Sequence, residues 1–281
     1  MDLPFGRTAD RAVSRERPGR AAPANRETAM TLTELHRHPV KSLGEEALDK
    51  VVLSPGAPMR HDRVWAIAHG ETALSDGTKS WAAPRNFVNQ THVPRLVQTT
   101  CAFDDAAGTL SLAHPDLPDL TVRPGSADGD AALTDWIAPL TDGTTRRGPF
   151  RICAVPGVAF TDFEETHISI ASTASRSALG EIVGQPLAAI RFRMNLWVEG
   201  WEPWAEMAIE PGTEIAVGPA RLRVIGRCER CNATTANPNT GRRDAQIPAE
   251  LFNNFGHRDF GLYAQVVESG EIAPGARVRV L

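Results

Sequence analysis

The chain has 281 residues and a formal net charge of −4, and its composition of 42% hydrophobic and 23% charged residues is ordinary for a globular protein of one or two domains. The mild acidity gives no electrostatic reason to expect a nucleic-acid partner, and no apolar run approaches the ~20 residues that a membrane-spanning helix needs. The 4 cysteines are too few and too unevenly spaced for a disulfide framework, which together with the lack of a secretory signal pattern favours a cytoplasmic setting.

Residues 1–30 differ from the rest of the chain. They contain six arginines, four acids and three prolines, with little apolar surface to bury. Such a segment cannot offset the entropy cost of ordering, so we expect it to be disordered. The four acids argue against a mitochondrial transit peptide.

From Thr31 onward the pattern is mainly β, with short alternating or apolar runs separated by Gly, Asp and Pro turn signals. Strands this short and frequent are typical of a barrel or a sandwich. A helix over 130–140 and a Gly- and Thr-rich stretch over 141–148 mark the region between two domains. We divide the folded chain into a smaller barrel-like domain, 31–128, and a second domain, 129–281. The strands predicted before this helix are 31–36, 47–53, 62–68, 96–103, 109–113 and 120–123.

The second half repeats the β pattern with some helix. Ser172 has N-cap character and is predicted to begin a helix that runs to about Val183. The fold class is therefore mainly β with a few helices, as two associated β-barrel-like domains. The strands predicted in this half are 150–155, 166–171, 190–198, 214–217, 222–225, 261–268 and 277–281.

Cys228 and Cys231 form a CxxC pair that could bind zinc, act as a redox pair, or be two buried cysteines. Zinc normally needs four ligands, and the sequence has no second CxxC or HxxxH motif, which leaves His257 as a lone further candidate. A redox pair would favour a βαβ setting, which this β-rich region lacks. Arg227 and Arg230 bracket the pair and favour a thiolate, so spacing leaves both a functional and a buried role open.

The predicted strand 190–198 places Arg191, Arg193 and Asn195 on one face. Two guanidiniums and an amide could together bind a phosphate or a polar ring edge. A strand face with charges pointing to water is the commoner situation and explains the pattern equally well.

Lys41 and Ser42 directly follow the first predicted strand, and both side chains can donate hydrogen bonds to an anion. Arg63 could likewise reach a phosphate, or could pair with Asp62 or cover Trp65 with its stem. None of these residues decides the function separately.

Taken together and in order, these segments resemble the MOSC superfamily with its N-terminal β-barrel domain, a group that includes amidoxime- and hydroxylamine-reducing proteins. The resemblance covers about residues 31–281. Its most specific part is the stretch around Cys231, with an R-x-N motif upstream and FG-x-Y downstream. The segments that carry the resemblance are HPVKS (38–42), DRVW (62–65), APRNFV (83–88), FRICAV (150–155), HISIAS (167–172), FRMN (192–195), GWEPWAEMAI (200–209), RCERCNATTANPNTG (227–241), FGLY (260–263) and GEIAPGARVRVL (270–281).

The resemblance implies that Cys231 is the thiolate ligand of molybdenum and the catalytic centre, with the cofactor Mo-molybdopterin. Cys228 is then structural, and at the level of the superfamily pyridoxal phosphate binding is a further, weaker implication. This chain departs from the family at three positions: Asn237 replaces an Asp, Met194 replaces a Pro, and Ala276 replaces an Asp. None of these changes affects the thiolate, so the resemblance implies cofactor binding more directly than it implies a particular activity. The implied cofactor-binding residues are Lys41, Ser42, Arg63, Ser172, Arg193, Asn195, Thr234 and Thr235.

The function implied is a molybdenum-dependent oxidoreductase that reduces small N-hydroxylated compounds such as amidoximes, hydroxylamines and hydroxylated bases. The chain contains no cysteine cluster of the ferredoxin type, so we expect a separate electron-donor protein, a flavin reductase or a small electron carrier. The alternatives are a non-catalytic cofactor carrier or sulfur-handling binding module, and a zinc or structural protein.

Overall fold

In the computed structural model, residues 29–72, 74 and 77–281 are described. The predicted disordered segment, 1–30, lies outside the described residues except for Ala29 and Met30. The described part is mostly β, as predicted. Its strands are β1 (Thr31–Arg37), β2 (Glu46–Ala47), β3 (Val51–Leu53), β4 (Trp65–Ala68), β5 (Thr100–Asp104), β6 (Thr109–His114), β7 (Leu117–Val122), β8 (Arg151–Ala154), β9 (Ile168–Ser172), β10 (Leu196–Glu199), β11 (Glu214–Val217), β12 (Ala220–Glu229), β13 (Asp259–Glu268), β14 (Gly270–Ile272) and β15 (Val278–Val280), and its α-helices are α1 (Ala127–Ile137), α2 (Thr173–Val183) and α3 (Ile247–Phe255).

The largest unit is a curled, half-barrel sheet of eight strands in the order β15-β11-β12-β13-β9-β10-β1-β2. Its paired strands are antiparallel except for β9 and β10, which run parallel. Alternation explains how the sheet forms a core, because in β12 Ala220, Leu222 and Val224 are buried while Arg221 and Arg223 between them are exposed. The buried side of the sheet encloses the main apolar core.

A second core lies in the first half of the chain, where β5, β6 and β7 form an antiparallel sheet. The alternation of β5 turns Cys101 and Phe103 inward. Helix α1 begins at the N-cap Ser126, whose side chain accepts a hydrogen bond from the backbone N–H of Gly129. This helix packs Leu133 and Ile137 into the same core as β5.

Strands from the first half of the chain also pair with strands from the second half. In register, β1 pairs with β10, β3 with β14 and β4 with β8. The segments that leave these strands therefore meet where the two halves join. The division at residues 128 and 129 stays a prediction, and α1 packs with the strands that precede it.

Two features of the second half differ from the sequence predictions. The strand predicted over 190–198 begins only at Leu196, because residues Ala189–Arg191 form a 3-10 turn and Arg193 has a left-handed backbone with φ 52°. Helix α3 was not predicted, although Pro248 lies in its first turn and Gly256, with φ 76°, caps its C-terminus. The N-cap role predicted for Ser172 is confirmed, since its side chain accepts a hydrogen bond from the N–H of Ser175.

No helix in the described residues is both long and apolar enough to span a membrane.

Candidate functional site

A cleft of about 680 Å³ opens where the two halves of the chain join. Segments from both halves of the chain form it, among them the turn after β1, the segment before β4, the segment before β10, and the turn after β12. The pairing of β1 with β10 and of β4 with β8 brings these segments together. From them come Lys41, Ser42, Arg63, Arg193 and Cys231, which all line the cleft.

The two cysteines of the CxxC pair are in opposite environments. Cys228 is fully buried near the end of β12, and burial raises the pKa of its thiol to about 12. Cys231 lies beyond the strand, at the start of a 3-10 turn (Asn232–Thr235), and is exposed. Its Sγ lies 3.4 Å from the hydroxyl oxygen of Thr91. Only Cys231 is therefore available to a ligand in the cleft.

Lys41 is a buried cation at one side of the cleft. Its ammonium donates to the carbonyl oxygens of Phe160, at 2.8 Å, and Thr161, at 3.4 Å, and lies 3.7 Å from Oδ1 of Asp162. Burial lowers the pKa of Lys41 to about 8, although Asp162 opposes this shift. The ammonium is thus held by oxygen atoms and stays largely charged at neutral pH.

Arg63 is fixed by contacts from both halves of the chain. One of its terminal nitrogens pairs with the buried carboxylate of Asp62 and lies 3.4 Å from Oδ1 of Asn195. Its other terminal nitrogen donates to the backbone carbonyl of Arg193 at 2.7 Å. Asp62 in turn accepts a hydrogen bond from the backbone N–H of His38 at 2.7 Å. This network holds the guanidinium in one orientation beside the cleft.

Arg193 reaches across the join from the opposite side. Its guanidinium donates to the carbonyl of Gly44 at 2.8 Å and lies 3.5 Å from the carbonyl of Val40. Both acceptors belong to the chain segment that carries Lys41 and Ser42. Arg193 therefore ties the segment before β10 to the turn after β1.

The structure does not place Arg191, Arg193 and Asn195 on one strand face, because these residues precede β10. Arg191 is buried and donates to the carbonyl of Ala236 at 2.9 Å and to Asp244 at 2.7 Å. Its guanidinium thus braces the loop that follows Cys231.

Three of the predicted binding residues do not line the cleft. Asn195 is buried behind Arg63, and its Oδ1 accepts from the N–H of Ser169 at 3.1 Å. Ser172 is fully buried as the N-cap of α2. Thr235 is buried, and its hydroxyl donates to the carbonyl of Asn232 at 2.8 Å, whereas the neighbouring Thr234 does line the cleft.

Several cleft residues were not identified from the sequence. Asp162 and Tyr263 face the cleft, with the Tyr263 hydroxyl donating to Oδ2 of Asp162 at 2.7 Å. Tyr263 lies in the FGLY segment, which carries the family resemblance but does not mark this residue as part of the site. Thr91 comes from the loop before β5, where no sequence signal marked a functional residue. Its contact with Cys231 depends on a pairing of residues 140 positions apart.

The electrostatics of the cleft are dominated by cations. Seven lysine and arginine residues line it, against two acids, Asp162 and Glu229. In the described part of the chain, Nε of Arg191 and Nε of Arg230 are buried without a hydrogen-bond partner. The described residues contain no group of three or more His, Cys, Asp or Glu side chains that could hold a metal ion without further ligands. The cleft thus combines one accessible thiol with a surface suited to an anion.

The two halves of the chain match two family models. The MOSC N-terminal beta barrel domain matches residues 29–143, and the MOSC domain matches residues 148–279. The chain therefore belongs to the family of proteins that join these two domains.

Individual relatives match only part of the chain. Mitochondrial amidoxime-reducing component 1 of Xenopus laevis is 29% identical over 120 residues, which cover 38% of this chain and 34% of that protein. The human protein of the same name is 27% identical over 124 residues, covering 40% of this chain and 36% of the human chain. The match thus spans about a third of the length of these curated relatives. Among solved structures, the YUAD protein from Bacillus subtilis has a TM-score of 0.45 and 14% identity, covering 89% of this chain and 95% of its own.

Proposed function

We propose that the chain binds a molybdenum cofactor in this cleft through Cys231 and reduces small N-hydroxylated compounds. The observation that carries the proposal is the exposed Cys231 thiol at a cleft lined mainly by cations. The names of the relatives, amidoxime-reducing components, support this class of substrate.

The residues present fit such a cofactor. A thiolate is a soft ligand that suits a heavy transition metal, and Cys231 is the only exposed cysteine of the four. Lysine and arginine side chains suit the phosphate of a pterin cofactor, and Lys41, Arg63 and Arg193 line the same cleft. The two unpaired Nε–H groups of Arg191 and Arg230 are further donors beside it.

When bound, the cofactor would supply the two-electron chemistry that removes oxygen from nitrogen. The chain's own residues bind and orient it. Lys41 and Arg63 would hold the anionic end, and the Thr91 hydroxyl, 3.4 Å from the Cys231 Sγ, would donate a hydrogen bond to this sulfur once it is a metal-bound thiolate. Because carbonyl and carboxylate oxygens already fix the Lys41 and Arg63 cations, little entropy is lost when they bind an anion.

The reaction consumes two electrons and releases water. We infer that a separate protein, a flavin reductase or a small electron carrier, delivers these electrons. The described residues hold only four cysteines, of which Cys101, Cys153 and Cys228 are buried, so we assign no electron relay to them.

The test is metal analysis combined with a viologen assay. Purified protein should contain molybdenum, and the protein reduced with a viologen dye should reoxidise the dye when benzamidoxime is added. Cys231→Ser should lose more than tenfold in both molybdenum content and turnover, while the free energy of unfolding of the cofactor-free protein should stay unchanged because the side chain is exposed.

Cys228→Ser is the matched control. It should keep molybdenum and turnover while losing about 1–3 kcal/mol of stability, because a hydroxyl replaces a fully buried thiol. Equal loss of molybdenum in both variants would contradict the distinct roles of the two cysteines. Retained molybdenum without turnover would indicate a cofactor carrier, and zinc in place of molybdenum would overturn the proposal.

A further inference from the structure

A second groove, of about 410 Å³, adjoins the cationic cleft at Cys231. Helix α3 forms one wall of this groove, and the turn after β12 forms another. Thr91, Arg230 and Cys231 line both this groove and the cationic cleft. A molecule in the groove would therefore meet a cofactor in the cleft at the Cys231 sulfur.

The wall made by α3 combines an aromatic ring with amide groups. The Phe252 side chain is unusually open for a large apolar residue, with 55% exposure. Pro248 and Ala249 continue the apolar surface one turn earlier on the helix. Gln246 and Asn253 add side-chain amides, which can both donate and accept hydrogen bonds. Such walls suit a small aromatic molecule whose polar group both donates and accepts.

The charged groups that line the groove are Arg230 and Arg258, and none of its lining residues in the described part of the chain is an acid. The backbone N–H of Arg230 donates to the carbonyl of Arg258 at 2.9 Å, which fixes the two segments together. The Arg258 guanidinium lies 6.0 Å from the centre of the Phe252 ring and 4.0 Å from the exposed Glu229 carboxylate. The groove thus offers a neutral or anionic ligand a better environment than a cationic one.

We propose that this groove is the substrate site, that it binds neutral aromatic amidoximes against Phe252, and that Arg258 disfavours the cationic product. This inference rests on the proposed function. An amidoxime is neutral at pH 7, whereas the amidine formed from it is a strong base and carries a positive charge. Reduction therefore converts a ligand that the groove accepts into one that it repels, which promotes release of the product.

The overall change balances with electrons from the external donor. One amidoxime, two electrons and three protons give one amidinium ion and one water, as the N–O bond breaks and the oxygen leaves in the water. The third proton is the one that charges the amidine.

The first test is direct binding of benzamidoxime to the protein as purified, measured by ligand-observed NMR titration. Phe252→Ala should raise the dissociation constant about five- to tenfold because the aromatic contact is lost. Phe255→Ala is the matched control, since Phe255 lies on the same helix with 37% exposure but outside the groove. Thermal unfolding checks that both variants fold. Equal constants for the two variants, or no binding to the wild-type protein at millimolar concentrations, would overturn the proposal.

The second test changes the charge at the groove. Arg258→Glu should tighten binding of the product benzamidine about threefold or more, with little effect on neutral benzamidoxime, and added salt should reduce the difference. Arg279→Glu, at an exposed residue of β15 outside the groove, is the control for net charge. The same benzamidine affinity in both charge variants would contradict the role of Arg258.

The two proposals fail separately. Protein that lacks molybdenum would overturn the proposed function. The comparison of benzamidoxime binding by Phe252→Ala and Phe255→Ala would still decide whether the groove binds the amidoxime. The protein could instead contain molybdenum and turn over benzamidoxime, with equal Michaelis constants in Phe252→Ala and Phe255→Ala. This result would overturn only the assignment of the groove as the substrate site.

Discussion

At the scale of single residues, the cleft is marked by unusual backbone conformations. Five non-glycine residues in the described part of the chain have positive φ, and three of them, Ser42, Arg63 and Arg193, line the cleft. Such conformations cost on the order of 1–3 kcal/mol each and persist where surrounding contacts hold them. Here the carbonyl of Arg193 accepts a hydrogen bond from Arg63, so two of the strained residues hold each other.

The buried ammonium of Lys41 gives a prediction about pH. Because burial lowers its pKa in the folded protein to about 8, the unfolded chain binds more protons than the folded one between pH 8 and about 10.4. The free energy of unfolding should therefore rise across this interval through Lys41, by on the order of 2–3 kcal/mol.

Urea titrations at several pH values, on wild-type protein and Lys41→Met without cofactor, measure this contribution. The difference between the two proteins should change between pH 8 and 10 and stay constant between pH 5 and 7. A constant difference over the whole range would show that the pKa of Lys41 is not lowered.

At the scale of elements, the pairing of β12 with β13 positions Cys231, and a glycine in β13 permits close packing. Gly261 has φ 81°, and an added Cβ would lie 2.8 Å from the carbonyl oxygen of Ile170 on the neighbouring strand β9. Gly256, after α3, has a similar φ of 76° but no atom within 4 Å of an added Cβ. A side chain added at Gly256 would therefore meet backbone strain alone, whereas one added at Gly261 would meet both backbone strain and steric overlap.

We predict that Gly256→Ala costs about 1 kcal/mol, because only the backbone conformation opposes the new side chain. Gly261→Ala should cost about 2–4 kcal/mol, since the same strain is joined by a clash with the backbone of β9. Urea unfolding curves of the two variants provide the comparison. Equal losses would mean that β9 and β13 can move apart without cost.

At the scale of the whole molecule, the two family domains are interlocked by strand pairing. The pairs β1–β10, β3–β14 and β4–β8 each join a strand of the first half to a strand of the second. The main core also combines Leu32 and Leu35 of β1 with Ile170 and Leu196 of the second half. Separation of the halves would expose these buried side chains, at roughly 1.5–3 kcal/mol each.

We therefore predict that the two domains unfold in a single cooperative transition. Differential scanning calorimetry should give one peak, with the van 't Hoff enthalpy equal to the calorimetric enthalpy. Two resolved transitions would show instead that the domains are thermodynamically independent.

The sequence by itself determined the class of the fold and six of the residues that line the cleft. In strands such as β5 and β12, the alternation of apolar and polar residues predicts which side chains are buried. An N-cap serine such as Ser172 is a local signal for the start of a helix. The sequence motifs predict six site residues that the structure brings to one cleft, namely Lys41, Ser42, Arg63, Arg193, Thr234 and Cys231. Their role as cofactor ligands stays a prediction.

The tertiary structure alone decided what depends on contacts between distant segments. Asn195 and Ser172 were predicted to bind the cofactor, but packing buries the first behind Arg63 and uses the second as a helix cap. Thr91 reaches Cys231, and α3 builds the second groove, only because long-range strand pairing closes the join between the halves. Sequence patterns report which face of an element is apolar, whereas the direction of a polar side chain beyond a strand end depends on distant partners.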